Sequence, residues 1–171
     1  KAFQAFALSL PSETYLADFM SVVDPDAIHE ARTFVQQVLA ASLKDPMLAV
    51  YHANRETGPY RTDQAAMGRR GLKNTCLGYL TELEDEDVRL LCMDQYRTGG
   101  NMTDVISALV NIANNDCPER EEALASFHAA WKNDPLVMDK WLAIQATSRL
   151  PGTLDSVKEL MKHPVFNLKN P

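Results

Sequence analysis

The sequence predicts an all-α protein built from stacked antiparallel αα-hairpins. Apolar residues recur at three- and four-residue steps along almost the whole chain, and no segment shows the strict apolar–polar alternation of a strand. Aspartate followed by proline, a signal for the start of a helix, occurs three times. With 46% hydrophobic and 23% charged residues among 171, the chain has the composition of a globular protein.

Asp24 and Pro25 predict the start of the first long helix. The carboxylate can accept hydrogen bonds from the unpaired main-chain N–H groups of the first turn, and the first helical residue needs no N–H donor, so proline is suited to that position. Its apolar face comprises Ile28, Ala31, Val35, Val38, Leu39 and Leu43. Asp45 is predicted to cap the second helix, over residues 46–55, in the same way. The Gly-Pro pair at residues 58–59 separates it from the next helix.

Thr62 or Asp63 is predicted to cap the third helix. The buried stripe of this helix comprises Leu72, Cys76, Tyr79, Leu80 and Leu83. The acidic run 82–87 places carboxylates near the positive end of the fourth helix, which continues over residues 88–97. Two glycines at residues 99–100 end it.

Asn101 or Thr103 is predicted to start the fifth helix, and Pro118 opens the sixth. The apolar face of the fifth comprises Met102, Val105, Ile106, Leu109, Ile112 and Ala113. The sixth carries Leu124, Phe127 and Trp131.

Asp134 and Pro135 begin the segment VMDKWLAIQA, residues 137–146. Its core face comprises Val137, Trp141 and Ile144, while Asp139 and Lys140 project elsewhere. Trp131 and Trp141 are both expected in the core, on adjacent helices. The last full helix follows the turn at residues 151–153, and its face comprises Leu154, Val157, Leu160 and Met161.

These segments give nine or ten helices joined by short turns, which favour antiparallel neighbours. No strict repeat is visible, so we expect an irregular, curved superhelix of armadillo- or HEAT-like type. We expect one helical domain over residues 1–171. KAFQAFALSL begins inside an apolar helical pattern, and VFNLKNP stops just after a new segment has started, so this domain is expected to be a truncated part of a longer one.

The net charge and the cysteine content exclude several classes of partner and of structural site. A formal charge of −6 disfavours binding to nucleic acid or to anionic lipid, and no apolar run is long enough to span a membrane. Cys76, Cys92 and Cys117 are an odd number at wide spacing, which fits neither a disulfide framework nor a zinc knuckle. We therefore expect a soluble protein of the cytoplasm, with an organelle as the alternative.

HEART, residues 29–33, resembles the start of a zinc-peptidase motif but lacks the second histidine, since Thr33 occupies its position. His29 and Glu30 fall on the polar side of their helix, so a solvated face is the preferred interpretation. The remaining histidines, which lie in separate segments without metal-ligand spacing, are His52, His128 and His163. No metal ligand is predicted.

No catalytic residue is predicted either. The chain has no GxSxG elbow or phosphate-binding glycine loop, and Cys76 lies on an apolar stripe. The densest basic group comprises Arg61, Arg69, Arg70 and Lys73. An anion site there is one interpretation, and a solvated face or contact with acidic neighbours is the favoured one.

Several strings together resemble the C-terminal helical domain of the aminopeptidase N family, in the bacterial-type branch of the zinc gluzincin peptidases. They are NMTD (101–104), WKNDPLVMDKW (131–141), QATS (145–148), LSLPSE (8–13), DPDAIHEAR (24–32) and FNLKNP (166–171). In order and spacing they cover essentially the whole chain.

The resemblance implies a larger zinc enzyme that removes N-terminal residues from peptides. Its metal site, with HExxH, and its GxMEN motif belong to a preceding catalytic domain, and neither motif occurs in this sequence. The helical domain would be inactive alone and would hold no cofactor. Its partners would be the catalytic domain of the same polypeptide and that enzyme's peptide substrates.

Two hypotheses follow from the sequence. In the first, the chain is a non-catalytic domain fragment that walls the active-site cavity and braces the catalytic domain. In the second, it is a free-standing helical-repeat module that binds a protein partner.

Overall fold

The computed structural model describes residues 1–169, where ten α-helices and one 3₁₀ turn, Thr81–Leu83, form the regular secondary structure. The helices are α1 (Ala2–Ala7), α2 (Glu13–Ala17), α3 (Pro25–Ser42), α4 (Lys44–Ala53), α5 (Gln64–Leu80), α6 (Glu86–Thr98), α7 (Met102–Ala113), α8 (Glu119–Trp131), α9 (Pro135–Ala146) and α10 (Thr153–Leu160). The all-α prediction is confirmed. None of these helices is both long and apolar enough to cross a bilayer.

The chain divides into two compact units, from Lys1 to Arg89 and from Leu90 onward. In the first unit, α5 packs against α1, α3, α4 and the 3₁₀ turn. In the second, α9 packs against α7, α8 and α10. Each unit therefore has one helix at its centre, against which its other helices pack.

Four predicted helix caps are confirmed. The side chains of Asp24, Asp63, Asn101 and Asp134 accept main-chain N–H groups two or three residues further on, at 2.9 to 3.2 Å. Each cap satisfies a donor that the first helical turn leaves without a partner, which stabilises the helix by about 1 kcal/mol.

The predicted cap at Asp45 is wrong. Helix α4 begins at Lys44, with only Leu43 between it and α3, and Asp45 lies in its first turn. Pro46 is then the third helical residue. Its missing N–H removes no intrahelical bond there, so proline did not have to mark the first position.

The predicted buried stripe of α5 is confirmed for Leu72, Cys76, Tyr79 and Leu80, whereas Leu83 is only half-buried. The hydroxyl of Tyr79 donates to the Leu8 carbonyl at 2.5 Å and holds the segment after α1 against this helix. Helix α5 therefore organises the first unit both by burial and by hydrogen bonding.

Burial in α9 follows the predicted face, with Val137, Trp141 and Ile144 all buried. The indole N–H of Trp141 donates to the Leu124 carbonyl on α8 at 2.9 Å. The Ser148 hydroxyl donates to the Ala113 carbonyl at the end of α7 at 3.0 Å. These bonds tie three helices of the second unit together.

The prediction that both tryptophans are core residues is wrong for Trp131. Its side chain lies on Phe127, with ring centroids 6.4 Å apart, and is 39% exposed, against 8% for Trp141. Trp131 is the last residue of α8. Leu154, in the first turn of α10, is likewise 69% exposed.

The buried face of α7 includes a carboxylate that the apolar pattern did not indicate. Asp104 and Ala108 are buried together with Leu109, Ile112 and Ala113, whereas Met102, Val105 and Ile106 are partly exposed. Asp104 can be buried because Asn101 donates to its side chain at 2.9 Å. Gln95 in turn donates to its carbonyl at 3.0 Å.

Gly99 is predicted to be intolerant of a side chain. A Cβ atom there would lie 2.8 Å from the Gln95 carbonyl oxygen and 2.9 Å from Val105 Cγ2, whereas nothing lies within 4 Å of one at Gly100. We expect Gly99→Ala to lower the free energy of unfolding by about 2 kcal/mol. Gly100→Ala is the matched control, and equal urea midpoints for the two variants would contradict this packing.

Candidate functional site

The HEART segment forms a polar contact between two helices. His29 Nδ1 lies 2.9 Å from Glu13 Oε1, and Arg32 Nε donates to the Pro11 carbonyl at 2.8 Å. Arg32 also reaches the Glu13 carboxylate at 3.3 Å. The hydrogen bond from His29 lowers the pKa of Glu13, and Arg32 lowers it further by a smaller amount. Burial acts in the opposite direction and raises it. These contacts attach α2 to α3.

The other histidines have different environments. His52 is exposed and lies edge-on to Tyr51. His128 and His163, which the sequence left in separate segments, lie together with a ring-centroid distance of 5.1 Å, and both contact Trp141. Within residues 1–169, no group of three or more His, Cys, Asp or Glu side chains is arranged to hold a metal ion.

The cysteines are free thiols. Burial raises the pKa of Cys76, and burial together with the nearby Cys117 raises the pKa of Cys92 to about 12. Cys92 donates weakly to the Ala108 carbonyl at 3.5 Å. A thiol that stays protonated at neutral pH is a poor nucleophile, so Cys76 and Cys92 have the properties of core residues.

The basic group around α5 is divided among local partners. Arg70, only 3% exposed, donates to both carboxylate oxygens of Glu56 at 3.0 and 2.9 Å and lies over the Tyr60 ring at 4.8 Å. Lys73 is buried above the Tyr51 ring at 6.0 Å. The expectation of a solvated face is wrong for these two residues, while contact with an acidic neighbour is right for Arg70.

Arg61 pairs with Asp63 at 2.8 Å at the surface, and Arg69 is half-buried. The guanidinium of Arg70 is compensated by the carboxylate of Glu56. An anion site at this group therefore has no support from the arrangement of its side chains.

The largest departure from the predicted core is on α3. Of its predicted apolar face, Ile28 is buried and Leu39 half-buried, while Ala31, Val35, Val38 and Leu43 are exposed. We use the name α3 stripe for an uncharged row of exposed residues: Ala27, Ala31, Phe34, Val35, Val38 and Ala41. Phe34 alone is 66% exposed. Burial needs a partner, and no element within residues 1–169 supplies one for this face.

The strings that carry the family resemblance coincide with helix caps and helix-to-helix bonds. NMTD contains the Asn101 cap and the buried Asp104, and QATS contains Ser148, which reaches α7. LSLPSE and DPDAIHEAR meet through Glu13 and His29. Composition and periodicity could not reveal these pairings. The last two residues of FNLKNP lie outside the described range.

A comparison with protein families gives a match over residues 1–171 to the family described as "Domain of unknown function (DUF3458_C) ARM repeats". Aminopeptidase N of Caulobacter vibrioides is 36% identical over 170 residues, and that of Escherichia coli 35% over 170. The Haemophilus influenzae protein of the same name is 39% identical over 166 residues.

A solved structure, the Legionella pneumophila aminopeptidase A in complex with aspartic acid, matches 98% of this chain with a TM-score of 0.84 and 30% identity. The match covers 21% of that protein, and the chain spans 20%, 19% and 18% of the three sequence relatives. The similarity therefore concerns about a fifth of each relative.

The buried pair formed by Arg70 and Glu56 is predicted to stabilise the first unit. Arg70→Met should lower the free energy of unfolding by about 3 kcal/mol, because Glu56 would keep an uncompensated charge in a largely buried position. Arg61→Met removes an exposed pair and should cost less than about 1 kcal/mol. Urea denaturation measures both, and similar losses would contradict the difference in burial.

The contact between Glu13 and His29 predicts a pH dependence. Because folding lowers the pKa of Glu13, this carboxyl contributes stability above the ordinary glutamate pKa of about 4.3 and loses it as the pH falls through the lowered value. We expect His29→Ala to raise the Glu13 pKa, measured by carboxyl NMR titration. Glu30→Gln, on the same exposed turn, should leave it unchanged.

Proposed function

This chain belongs to the DUF3458_C family of ARM-repeat domains, and on that premise we propose that it is a non-catalytic wall and brace of an aminopeptidase. It is homologous to the C-terminal helical domain of bacterial aminopeptidase N. In this role the helices would border the cavity in which a separate catalytic domain removes N-terminal residues from peptides, and would limit access to short, unfolded chains.

The observation that carries the proposal is the α3 stripe. Six uncharged side chains follow one helix face for more than three turns and remain open to solvent, and Phe34 projects from their centre. A contiguous apolar face of this kind is typical of a surface that another protein element covers. We propose that the catalytic part of the same polypeptide covers it.

The zinc ion that the family resemblance implies does not fit the residues of this chain. HEART supplies one imidazole, and its Nδ1 is already bonded to Glu13. No set of three ligands converges within residues 1–169. The proposed role of this chain is therefore mechanical, and no step of hydrolysis is assigned to its side chains.

A chimera tests the proposal. Replacing the matching segment of Escherichia coli aminopeptidase N by this chain should restore hydrolysis of aminoacyl p-nitroanilides relative to the enzyme with the segment deleted. The 171-residue chain alone should give no turnover. Turnover by the isolated chain, or a chimera no better than the deletion, would contradict the proposed role.

The α3 stripe provides a second, sharper test. Phe34→Asp and Val38→Asp should leave the unfolding free energy of the isolated chain within about 0.5 kcal/mol, since both side chains are exposed. In the chimera they should reduce activity and lower the Tm, because a charge would be buried against the catalytic part. Equal tolerance in both contexts would indicate the free-standing interaction module instead.

A further inference from the structure

The connection between α2 and α3 carries large apolar side chains, yet all of it is open to solvent. We use the name acidic segment for residues 18–26, DFMSVVDPD, and every one of these residues is exposed. Phe19 is 74% exposed and Val22 80%, and Met20 and Val23 are exposed as well. Apolar side chains grouped in this way on a surface are typical of a contact with another protein element.

Both ends of the acidic segment are held in place by hydrogen bonds. At its start, the main-chain N–H groups of Phe19 and Met20 donate to carbonyls of α2 at 3.2 and 3.0 Å. At its end, the side chain of Asp24 accepts the Ala27 N–H at 3.0 Å and caps α3. Because the segment is already ordered, a partner that binds it does not have to supply the free energy of ordering.

The negative charge of the chain is concentrated around this segment. Residues 2–31 contain five carboxylates and no lysine or arginine, so they account for five of the six net negative charges. Three of these carboxylates belong to the acidic segment and are exposed: Asp18, Asp24 and Asp26. The next cation along the chain, Arg32, is bonded to Glu13 at 3.3 Å. The acidic segment therefore presents carboxylates beside apolar side chains.

This combination of side chains limits the chemistry of a partner. Anionic lipid and nucleic acid would be repelled by the carboxylates. A second copy of the chain, in a two-fold symmetric contact, would place the same carboxylates against one another. The complementary surface is a protein element in which lysine or arginine flanks apolar residues.

The relatives indicate where such an element can lie. This chain spans 20%, 19% and 18% of the three aminopeptidase N sequences, so about four-fifths of each relative lies outside the matching part. Ala27, the first residue of the α3 stripe, directly follows Asp26. The acidic segment therefore continues the surface for which we propose a cover. An element of the same polypeptide would be present there at high effective concentration.

We propose that the acidic segment receives a basic, apolar segment of the same polypeptide from outside residues 1–171. Phe19 and Val22 pack against its apolar side chains, and Asp18 and Asp26 pair with its lysine or arginine side chains. This inference rests on the proposed function, and it adds the charge and the composition of the element that covers this part of the chain.

Photo-crosslinking in the chimera with Escherichia coli aminopeptidase N identifies the covering element. With p-benzoylphenylalanine at the position of Phe19, irradiation should link the chain to a segment of the E. coli part that has more lysine and arginine than aspartate and glutamate. Peptide mass spectrometry locates the link. The same residue at the position of Leu136, an exposed apolar side chain of the second unit, is the control and should not reach that segment. No link from Phe19, or a link to an acidic segment, would overturn the proposal.

Charge reversal provides an independent measurement. In the chimera, Asp18→Lys should lower the Tm by about 2 °C at about 20 mM NaCl, and most of this loss should disappear at about 500 mM, because salt screens exposed charges. Asp116→Lys makes the same change at an exposed aspartate of the second unit and should leave the Tm unchanged. In the isolated chain, Asp18→Lys should not lower the Tm, since Asp18 is exposed at the C-terminal end of α2.

The outcomes separate this inference from the proposed function. An inactive chimera contradicts the role as wall and brace. An active chimera that tolerates Asp18→Lys as well as Asp116→Lys would overturn the contact at the acidic segment and leave that role in place.

A synthetic probe tests the acidic segment without the chimera. A 14-residue helical peptide of leucine and lysine, added to the 171-residue chain, should shift the NMR signals of residues 18–26. Asp18→Lys should weaken this binding about tenfold, and a leucine and glutamate peptide of equal length should not bind. A lysine peptide that binds elsewhere, or that binds the variant equally well, would overturn the proposal.

Discussion

Hydrogen bonds from buried side chains to main-chain carbonyls of neighbouring segments fix how the helices of this protein align. Trp141 reaches Leu124, and Ser148 reaches Ala113, in the second unit. In the first, Tyr79 reaches Leu8. Apolar faces alone would tolerate a shift along the neighbouring helix, because dispersion and burial have no direction. A donor left without its carbonyl costs about 1 to 3 kcal/mol, so a shift that breaks one of these bonds is unfavourable.

Side-chain bonds to the main chain also occur in the strings that carry the family resemblance. NMTD, QATS and LSLPSE each contain a residue that caps a helix or ties one segment to another. These roles require particular donors and acceptors at fixed positions, whereas an apolar contact accepts many side chains. The strings that carry the resemblance therefore include residues that fix helix ends and helix alignment.

The α3 stripe has the opposite character, since it is apolar but has no partner among residues 1–169. Helix α3 is held from its other side, through Ile28, Ala40 and the polar contact of His29 with Glu13. This arrangement leaves a stable helix with a second apolar face available for another protein element. The proposed wall between domains would use such a helix, because it would pack on both sides.

Much of the helix inventory could be predicted from the sequence, since caps and apolar spacing are local. Asp24, Asp63 and Asn101 start helices as expected. The error at Asp45 arose because the same signal permits proline at the first or the third helical position. The candidate site was less predictable. The bond of His29 to Glu13, sixteen residues earlier in the chain, was not visible in the sequence.

The sequence by itself determined where most of the helices begin and which family the motifs belong to, because these depend on neighbouring residues along the chain. Only the tertiary structure decided which apolar faces are buried. It exposed Trp131 and the α3 stripe, buried Arg70 against Glu56, and joined His128 to His163. Burial and long-range pairing depend on which segments meet in space, and the spacing of residues within one segment does not show which segments those are.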